Sequence, residues 1–281
     1  MSEDSHRPTD DAHDVHGAAG VPQRRHRKGI YVLPNAITLT ALFAGFYSIV
    51  MAMNGRFEAA AIGIFVAAVL DSLDGRIARM THSQSAFGEQ MDSLCDMVSF
   101  GAAPALIMYQ WALKDLGKPG WIPAFVYIAG AALRLARFNT NIGAVDKRFF
   151  QGLPSPAAAA MVMGMIWVFD DAGFRNVGRV DWLVVTAYVL TLYAGITMVT
   201  NAPFYSFKDV SAMRTVPFIV IVAIALGIVI VSQDPPKALF GLFCAYGLSG
   251  YAVYAWRKSK GLPTSVIATS TEEPEEVGLH R

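Results

Sequence analysis

Charged side chains are scarce in this chain, where Asp, Glu, Lys and Arg make up only 16% of 281 residues. Cysteine is scarcer still, with only Cys95 and Cys244. Both fall in apolar stretches, and we interpret them as small, inert apolar residues. A catalytic role for Cys95 is disfavoured, because on a helix its side chain points about 100° away from that of Asp96.

The overall composition is that of a membrane protein, with 54% hydrophobic residues and a mean hydropathy of +0.39. A helix needs about 20 residues to cross the ~30 Å hydrocarbon core of a bilayer. We find eight apolar stretches of roughly that length: 31–53, 57–80, 92–113, 120–138, 153–169, 181–200, 214–232 and 236–256. The sequence therefore predicts an all-α, polytopic bundle of about eight transmembrane helices, in which the last two form a tight hairpin around Gln233 to Pro236.

Lys and Arg are distributed unequally between the two sides of this predicted bundle. With the N-terminus inside, 17 of the 23 fall in inner segments. The positive-inside rule then places both termini in the cytoplasm. We expect a polar, disordered arm over 1–28 and a disordered tail over 259–281. No short apolar run with a cleavage site precedes the first span, so we expect no signal peptide.

Four aspartates interrupt the apolar pattern around the end of the second stretch and the start of the third. Carboxylates at membrane depth are costly and mark functional sites. At 100° per residue, Asp71, Asp74, Gly75 and Ala78 fall on one face of a helix, with Arg79 at its edge.

The other two aspartates follow a spacing of four residues. Gly88, Asp92 and Asp96 therefore share a face of a second helix. The polar segment 80–87 between the two helices can turn the chain. Two antiparallel helices would then bring both aspartate faces together in one acidic pocket.

Such a pocket has a recognisable chemistry. Carboxylates crowded together stay ionised only beside cations, and hard oxygen ligands suit Mg²⁺ or Mn²⁺, which usually bind together with substrate phosphates. Gly75 and Ala78 leave room for a ligand near the backbone, and Arg79 can pair with a phosphate. The pattern indicates metal-dependent phosphoryl or phosphatidyl transfer.

The spacing D-x-x-D-G-x-x-A-R-x8-G-x3-D-x3-D fixes eight residues over the 26 positions 71–96. It resembles the signature of the CDP-alcohol phosphatidyltransferase family. That resemblance implies an integral membrane enzyme that moves a phosphatidyl group from CDP-diacylglycerol to an alcohol and releases CMP. It also implies a homodimer with a six-helix core, which we assign to 29–207. The segment 208–258 is then an accessory transmembrane hairpin without readable chemistry.

A second polar cluster begins at the end of the fourth stretch and contains Arg134, Arg137 and Asn139. The two arginines lie one helical turn apart, so they either anchor a helix end or neutralise phosphate or carboxylate groups. Ser155 and Pro156 predict a helix start, with Ser155 as the N-cap and Pro at the first helical position.

Three segments, Leu33–Asn35, Arg134–Asn139 and Gln151–Pro156, resemble the branch of the family whose acceptor alcohol is L-serine. The similarity runs from about Gly29 to Phe207. It implies that the product is phosphatidylserine. Glycerol 3-phosphate or inositol phosphate as the acceptor remains an alternative, and an ion-coupled transporter is the alternative outside the family.

The resemblance implies a role for each matched residue. Asp71, Asp74 and Asp92 would bind one or two divalent ions, Mg²⁺ or Mn²⁺. Asp96 would be the general base for the serine hydroxyl and could also touch a metal. The residues predicted to receive CDP-diacylglycerol are Gly75, Ala78, Arg79 and Gly88. Those predicted to recognise the acceptor or a lipid phosphate are Arg134, Arg137 and Asn139.

Attack by the serine hydroxyl can be direct, or it can follow a covalent intermediate on Asp96 or His82, and the sequence does not decide between them. We expect the protein in the bacterial inner membrane with its active site facing the cytoplasm. Its expected partners are the lipid bilayer, CDP-diacylglycerol and L-serine, without nucleic acid.

Overall fold

The structure is a computed structural model that describes residues 32–81, 83, 85–140, 149–174, 177, 181–206 and 218–260. The predictions for the arm 1–28, for His82 and for the tail from 261 fall outside these residues.

Eight long helices account for most of the described chain. They are α1 (Val32–Met53), α2 (Phe57–Met80), α3 (Ala86–Leu116), α4 (Trp121–Thr140), α5 (Ser155–Asp171), α6 (Asp181–Val199), α7 (Phe218–Gln233) and α8 (Pro235–Ser259). Each falls on one of the eight apolar stretches, so the predicted helical bundle is confirmed. The turn between α7 and α8 is the single residue Asp234, as the predicted tight hairpin requires.

Five of these helices, α1, α3, α4, α6 and α8, are long and apolar enough to cross a membrane. The helices α5 and α7 are shorter, with 17 and 16 residues. The helix α2 has 24 residues but carries Asp71, Asp74, Arg76 and Arg79 in its C-terminal third. The helix α2 is therefore long enough to cross a membrane, and it falls outside the set of five because of the charged residues of the aspartate motif.

The third helix starts at Ala86, before the apolar stretch 92–113, and so includes the predicted helical positions Gly88, Asp92 and Asp96. Ser85 caps it, because its Oγ accepts a hydrogen bond of 3.0 Å from the Gly88 backbone N–H. This serine cap allows the polar first turns to be helical, so Gly88, Asp92 and Asp96 all lie on α3. A π-helical segment, Met97–Ala102, begins directly after Asp96.

The core surrounds α5, whose residues from Ala157 to Ile166 are all buried. Helices α2, α6 and α8 pack around it. Helices α4 and α6 cross closely, since a Cβ added to Gly130 would lie only 2.3 Å from the Gly195 carbonyl oxygen. Small residues at such crossings let membrane helices approach one another.

The sequence did not predict strands, and the structure adds one short antiparallel pair. Strand β1 (Phe149–Gln151) pairs with β2 (Pro203–Tyr205), with Phe150 opposite Phe204. The pair joins the segment before α5 to the segment after α6. Its strands are three residues long, too short for a periodic pattern to mark them.

Candidate metal and substrate site

Three aspartates from two neighbouring helices converge at one end of the bundle. Asp71 and Asp74 lie on the last turns of α2, and Asp92 lies near the start of α3. One carboxylate oxygen from each residue lies within 4.8 Å of those of the other two. Asp74 is 4% exposed, and the other two are half-buried. The sequence predicted this convergence from the shared helix faces.

A hydroxyl from the first helix supports this cluster. Thr38 on α1 donates a hydrogen bond of 2.6 Å to Asp74 Oδ2. The same hydroxyl lies 3.1 Å from the Pro34 carbonyl oxygen. Helix α1 therefore fixes the orientation of one carboxylate from outside the two aspartate-bearing helices.

The fourth aspartate lies beside the three. The Asp96 carboxyl is in hydrogen-bond contact with that of Asp71. Arg134 on α4 is close enough to Asp96 for their opposite charges to interact. Asp96 thus lies between the aspartate cluster and a cation, while its assignments as base and metal ligand stay predictions.

A cleft with a volume of about 170 Å³ opens next to the aspartates, between α1, α2 and α3. All four residues predicted to receive CDP-diacylglycerol line it: Gly75, Ala78, Arg79 and Gly88. Two of them are glycines with polar side chains beside them. A Cβ on Gly75 would meet Arg79 Nη1 at 3.5 Å, and one on Gly88 would lie 3.2 Å from Ser85 Oγ.

The cleft has further polar residues that the sequence alone did not indicate as part of the site: Asn35, Thr38, Ser83, Ser85 and Glu89. Asn35 offered a signal, because it is a polar residue at the start of an apolar span. Thr38 offered none. A threonine in an apolar helix ordinarily bonds a carbonyl of its own helix, as Thr40 does with the Ala36 oxygen at 2.8 Å.

The three predicted acceptor residues have different environments. Arg134 Nη1 donates to Ser155 Oγ at 2.9 Å. Asn139 Nδ2 donates to Ser93 Oγ at 3.0 Å, which links the end of α4 to the turn between Asp92 and Asp96.

Arg137 is engaged with the backbone. Its guanidinium donates to the carbonyl oxygens of Val199 at 3.0 Å and Gln151 at 3.1 Å, and to Asn201 Oδ1 at 3.2 Å. These contacts join α4 to the C-terminal end of α6 and to β1. They match the helix-anchoring alternative, while acceptor recognition by Arg137 stays a prediction.

The predicted N-cap at Ser155 is wrong by one residue. Pro154 occupies the N-cap position, and Ser155 is the first residue of α5. The reason is that the Ser155 hydroxyl accepts from Arg134 instead of from a backbone N–H of the first turn. The serine therefore connects α5 to the polar cluster.

The donor chemistry of the aspartate group fits a hard divalent cation. Carboxylate oxygens are the ligands that such ions prefer, and the three side chains come from helices whose backbones are held by packing. Asp71, Asp74 and Asp92 are therefore the residues that could hold a divalent cation.

Comparison with known proteins identifies the family of this chain. Residues 31–200 match the CDP-alcohol phosphatidyltransferase family, and the chain belongs to that family. It is thus a multi-pass membrane protein of an enzyme family that generally depends on divalent cations.

Two relatives and one solved structure are similar to this chain. A CDP-diacylglycerol–serine O-phosphatidyltransferase of Helicobacter pylori is 34% identical over 220 residues, which cover 78% of this chain and 90% of that protein. An archaetidylserine synthase of Methanothermobacter thermautotrophicus is 33% identical over 162 residues, 57% of this chain and 66% of that protein. The crystal structure of Mycobacterium tuberculosis phosphatidylinositol phosphate synthase with CDP-DAG bound is 20% identical, with a TM-score of 0.48 over 62% of this chain and 87% of that one.

Proposed function

We propose that this protein transfers the phosphatidyl group of CDP-diacylglycerol to the hydroxyl of L-serine and so makes phosphatidylserine and CMP. The observation that carries the proposal is the convergence of Asp71, Asp74 and Asp92 within 4.8 Å beside a cleft whose lining includes Gly75, Ala78 and Gly88. The relatives named for serine as the acceptor support the choice of alcohol.

The reaction needs two substrates at one phosphorus atom. A bond forms between the serine oxygen and the lipid phosphorus, and the bond from that phosphorus to the bridging oxygen of CMP breaks. Phosphoryl transfers of this kind depend mainly on positioning and on neutralising charge. A divalent cation, Mg²⁺ or Mn²⁺, would supply that neutralisation when held by Asp71, Asp74 and Asp92, with Asp96 as a further candidate ligand.

Proton transfer and substrate binding would be carried out by side chains of the protein. Asp96 would accept the proton of the serine hydroxyl, and its contact with Asp71 supports a place close to the reacting atoms. Gly75, Ala78 and Gly88 would make room for the nucleotide, and Arg79 would contact a phosphate. Arg134, beside Asp96, would meet the serine carboxylate.

The proposal extends to the setting of the enzyme. The excess of Lys and Arg on one side supports an active site that faces the cytoplasm, where nucleotides are found. We place the protein in the inner membrane of a bacterium, as a homodimer formed through membrane helices.

An acceptor panel tests the proposal. Purified full-length protein in detergent is incubated with CDP-diacylglycerol and with serine, glycerol 3-phosphate or inositol phosphate, and CMP and the lipid product are measured. We expect CMP release only with serine, matched by phosphatidylserine. A preference for a phosphorylated acceptor would overturn the choice of serine, and no CMP release with any acceptor would overturn the proposed class of reaction.

A further inference from the structure

Ser93 lies on α3 between Asp92 and Asp96, and its hydroxyl forms a reciprocal pair of hydrogen bonds with Asn139 at the end of α4. The Asn139 amide nitrogen donates to Ser93 Oγ at 3.0 Å. The Ser93 hydroxyl in turn donates to Asn139 Oδ1 at 3.3 Å. Both side chains are half-buried, and 46 positions separate them in the sequence. The pair therefore joins α4 to the turn of α3 that carries two aspartates of the site.

The side chain of Ser93 leaves α3 in a different direction from those of the two aspartates. At 100° per residue, it is turned by about 100° from Asp92 and by about 60° from Asp96. A hydrogen bond at that position leaves both carboxylates facing the aspartate cluster. It also restricts rotation of this turn about the helix axis, a rotation that would move both carboxylates together.

The backbone of α3 fixes this turn less firmly than a regular α-helix would. The π-helical segment Met97–Ala102 begins directly after Asp96, so the α-helical hydrogen-bond pattern is interrupted there. Within that segment, the Ser99 hydroxyl donates to the Ala41 carbonyl oxygen of α1 at 3.4 Å. Helix α1 thus holds the π-helical segment, and the bonds to Asn139 hold the aspartate turn that precedes it.

The end of α4 is a firm support for these bonds. Helix ends usually fray, but Arg137, two residues before Asn139, ties this end to two other elements. Its guanidinium donates to the carbonyl oxygens of Val199 at the end of α6 and of Gln151 on β1, at 3.0 and 3.1 Å. The backbone that carries Asn139 is therefore held in place from both sides.

We propose that Asn139 is a positioning residue that acts through Ser93 and holds Asp92 and Asp96 in the orientation that a divalent cation requires. This inference rests on the proposed function, which assigns such a cation to the aspartates. It gives Asn139 a role other than acceptor recognition, because its amide is engaged with Ser93. Loss of the pair should weaken cation binding, and the KM for serine at saturating cation should not change.

The test is a Mn²⁺ titration of purified full-length variants in detergent, followed by electron paramagnetic resonance. For Asn139→Ala and for Ser93→Ala we expect the Kd for Mn²⁺ to rise about 3- to 10-fold, the usual effect of losing one neutral hydrogen bond. Ser93→Thr keeps the hydroxyl and should retain the wild-type Kd. Melting temperatures of the same samples show whether a variant is folded.

Each alanine variant has a matched control. Ser72 directly follows Asp71 on α2 as Ser93 follows Asp92, but its hydroxyl donates to the Ala68 carbonyl oxygen of its own helix at 2.9 Å. Thr140 is the neighbour of Asn139, and its hydroxyl donates to a carbonyl oxygen of its own helix at 3.0 Å. Ser72→Ala and Thr140→Ala should therefore leave the Kd for Mn²⁺ unchanged.

A double variant shows whether the two residues act as a pair. Removing either partner already breaks both bonds, so Asn139→Ala combined with Ser93→Ala should have the same Kd for Mn²⁺ as the more affected single variant. Effects that multiply in the double variant would overturn the inference. If Asn139→Ala does not fold, Ser93→Ala and its rescue by Ser93→Thr decide.

Three further outcomes have a definite meaning. An unchanged Kd for Mn²⁺ in Asn139→Ala and Ser93→Ala would overturn the inference, even if their melting temperatures fall. A rise in the KM for serine in Asn139→Ala with unchanged Mn²⁺ binding would also overturn it and assign Asn139 to the acceptor. Wild-type protein that neither binds Mn²⁺ nor releases CMP with serine would instead overturn the proposed function.

Discussion

Thr38 on α1 and Asp74 on α2 form a buried hydrogen bond of 2.6 Å, with Thr38 6% and Asp74 4% exposed. The bond reaches the aspartate cluster from a helix that contributes no carboxylate to it. Because the hydroxyl donates to one oxygen of Asp74, it restricts how that carboxylate can rotate. An ordered carboxylate loses less freedom when it binds a cation.

We expect Thr38→Val to weaken divalent-cation binding by about 10- to 100-fold, the usual effect of removing a partner behind a metal ligand. The matched control is Thr40→Val, since the exposed Thr40 hydroxyl bonds the Ala36 carbonyl oxygen in its own helix. The measurement is the Mn²⁺ concentration that gives half-maximal CMP release. Equal metal requirements in both variants would mean that the bond to Asp74 does not support the site.

Asp96→Asn should preserve metal binding and lower the rate of transfer by about 10²- to 10⁴-fold, because general-base catalysis is usually worth that much. Single-turnover formation of phosphatidylserine at saturating serine measures the chemical step. Asp115→Asn serves as the control, since this exposed aspartate lies at the opposite end of α3. A rate close to that of the wild type in Asp96→Asn would remove Asp96 as the base.

The two arginines of α4 should respond differently to replacement by lysine. Arg134→Lys should raise the KM for serine, since a lysine cannot keep the same fork of donors toward Ser155 and a carboxylate. Arg137→Lys should lower the melting temperature, because Arg137 holds backbone carbonyls of Gln151 and Val199. It should leave the ratio of the KM for serine to the KM for CDP-diacylglycerol unchanged. A selective rise in the KM for serine in Arg137→Lys would contradict this expectation and show that Arg137 takes part in acceptor recognition.

The crossing of α4 and α6 predicts a stability effect. Gly130→Ala places a methyl group against the Gly195 carbonyl, 2.3 Å away before any movement, so the two helices must separate. We expect a loss of about 1–3 kcal/mol in the free energy of unfolding. Gly227→Ala is the control, since a Cβ there has no neighbour within 4 Å. Thermal melts in one detergent compare the two, and equal melting temperatures would contradict the close packing.

The sequence predicted the parts of the site that lie on one helix or on consecutive helices. Asp71 and Asp74 share a face through the helical period, and the short turn to Asp92 leaves little choice but an antiparallel return. The eight helices could be predicted as well, because the length of an apolar stretch is a local property of the sequence. Such features depend on local geometry, which residue spacing reports directly.

Contacts between segments that are far apart in the sequence could not be predicted from it. Thr38 reaches Asp74 over 36 positions, and the Tyr193 hydroxyl reaches the Gly247 carbonyl oxygen over 54. Nothing in the local pattern distinguishes either residue from others in an apolar helix. The same holds for Ser155, whose hydroxyl was expected to cap its own helix and instead accepts from Arg134. Packing of the whole bundle decides these contacts.

The most direct test of the account is a Mn²⁺ titration of the detergent-solubilised full-length protein, followed by electron paramagnetic resonance and by CMP release in the same samples. We expect wild-type protein to bind Mn²⁺, and EDTA to abolish a release of CMP that Mg²⁺ or Mn²⁺ restores. Asp71→Asn, Asp74→Asn and Asp92→Asn should each weaken binding and activity together, whereas Asp115→Asn should change neither. Undiminished Mn²⁺ binding in all three cluster variants, or full activity in EDTA, would contradict a cation shared by these carboxylates.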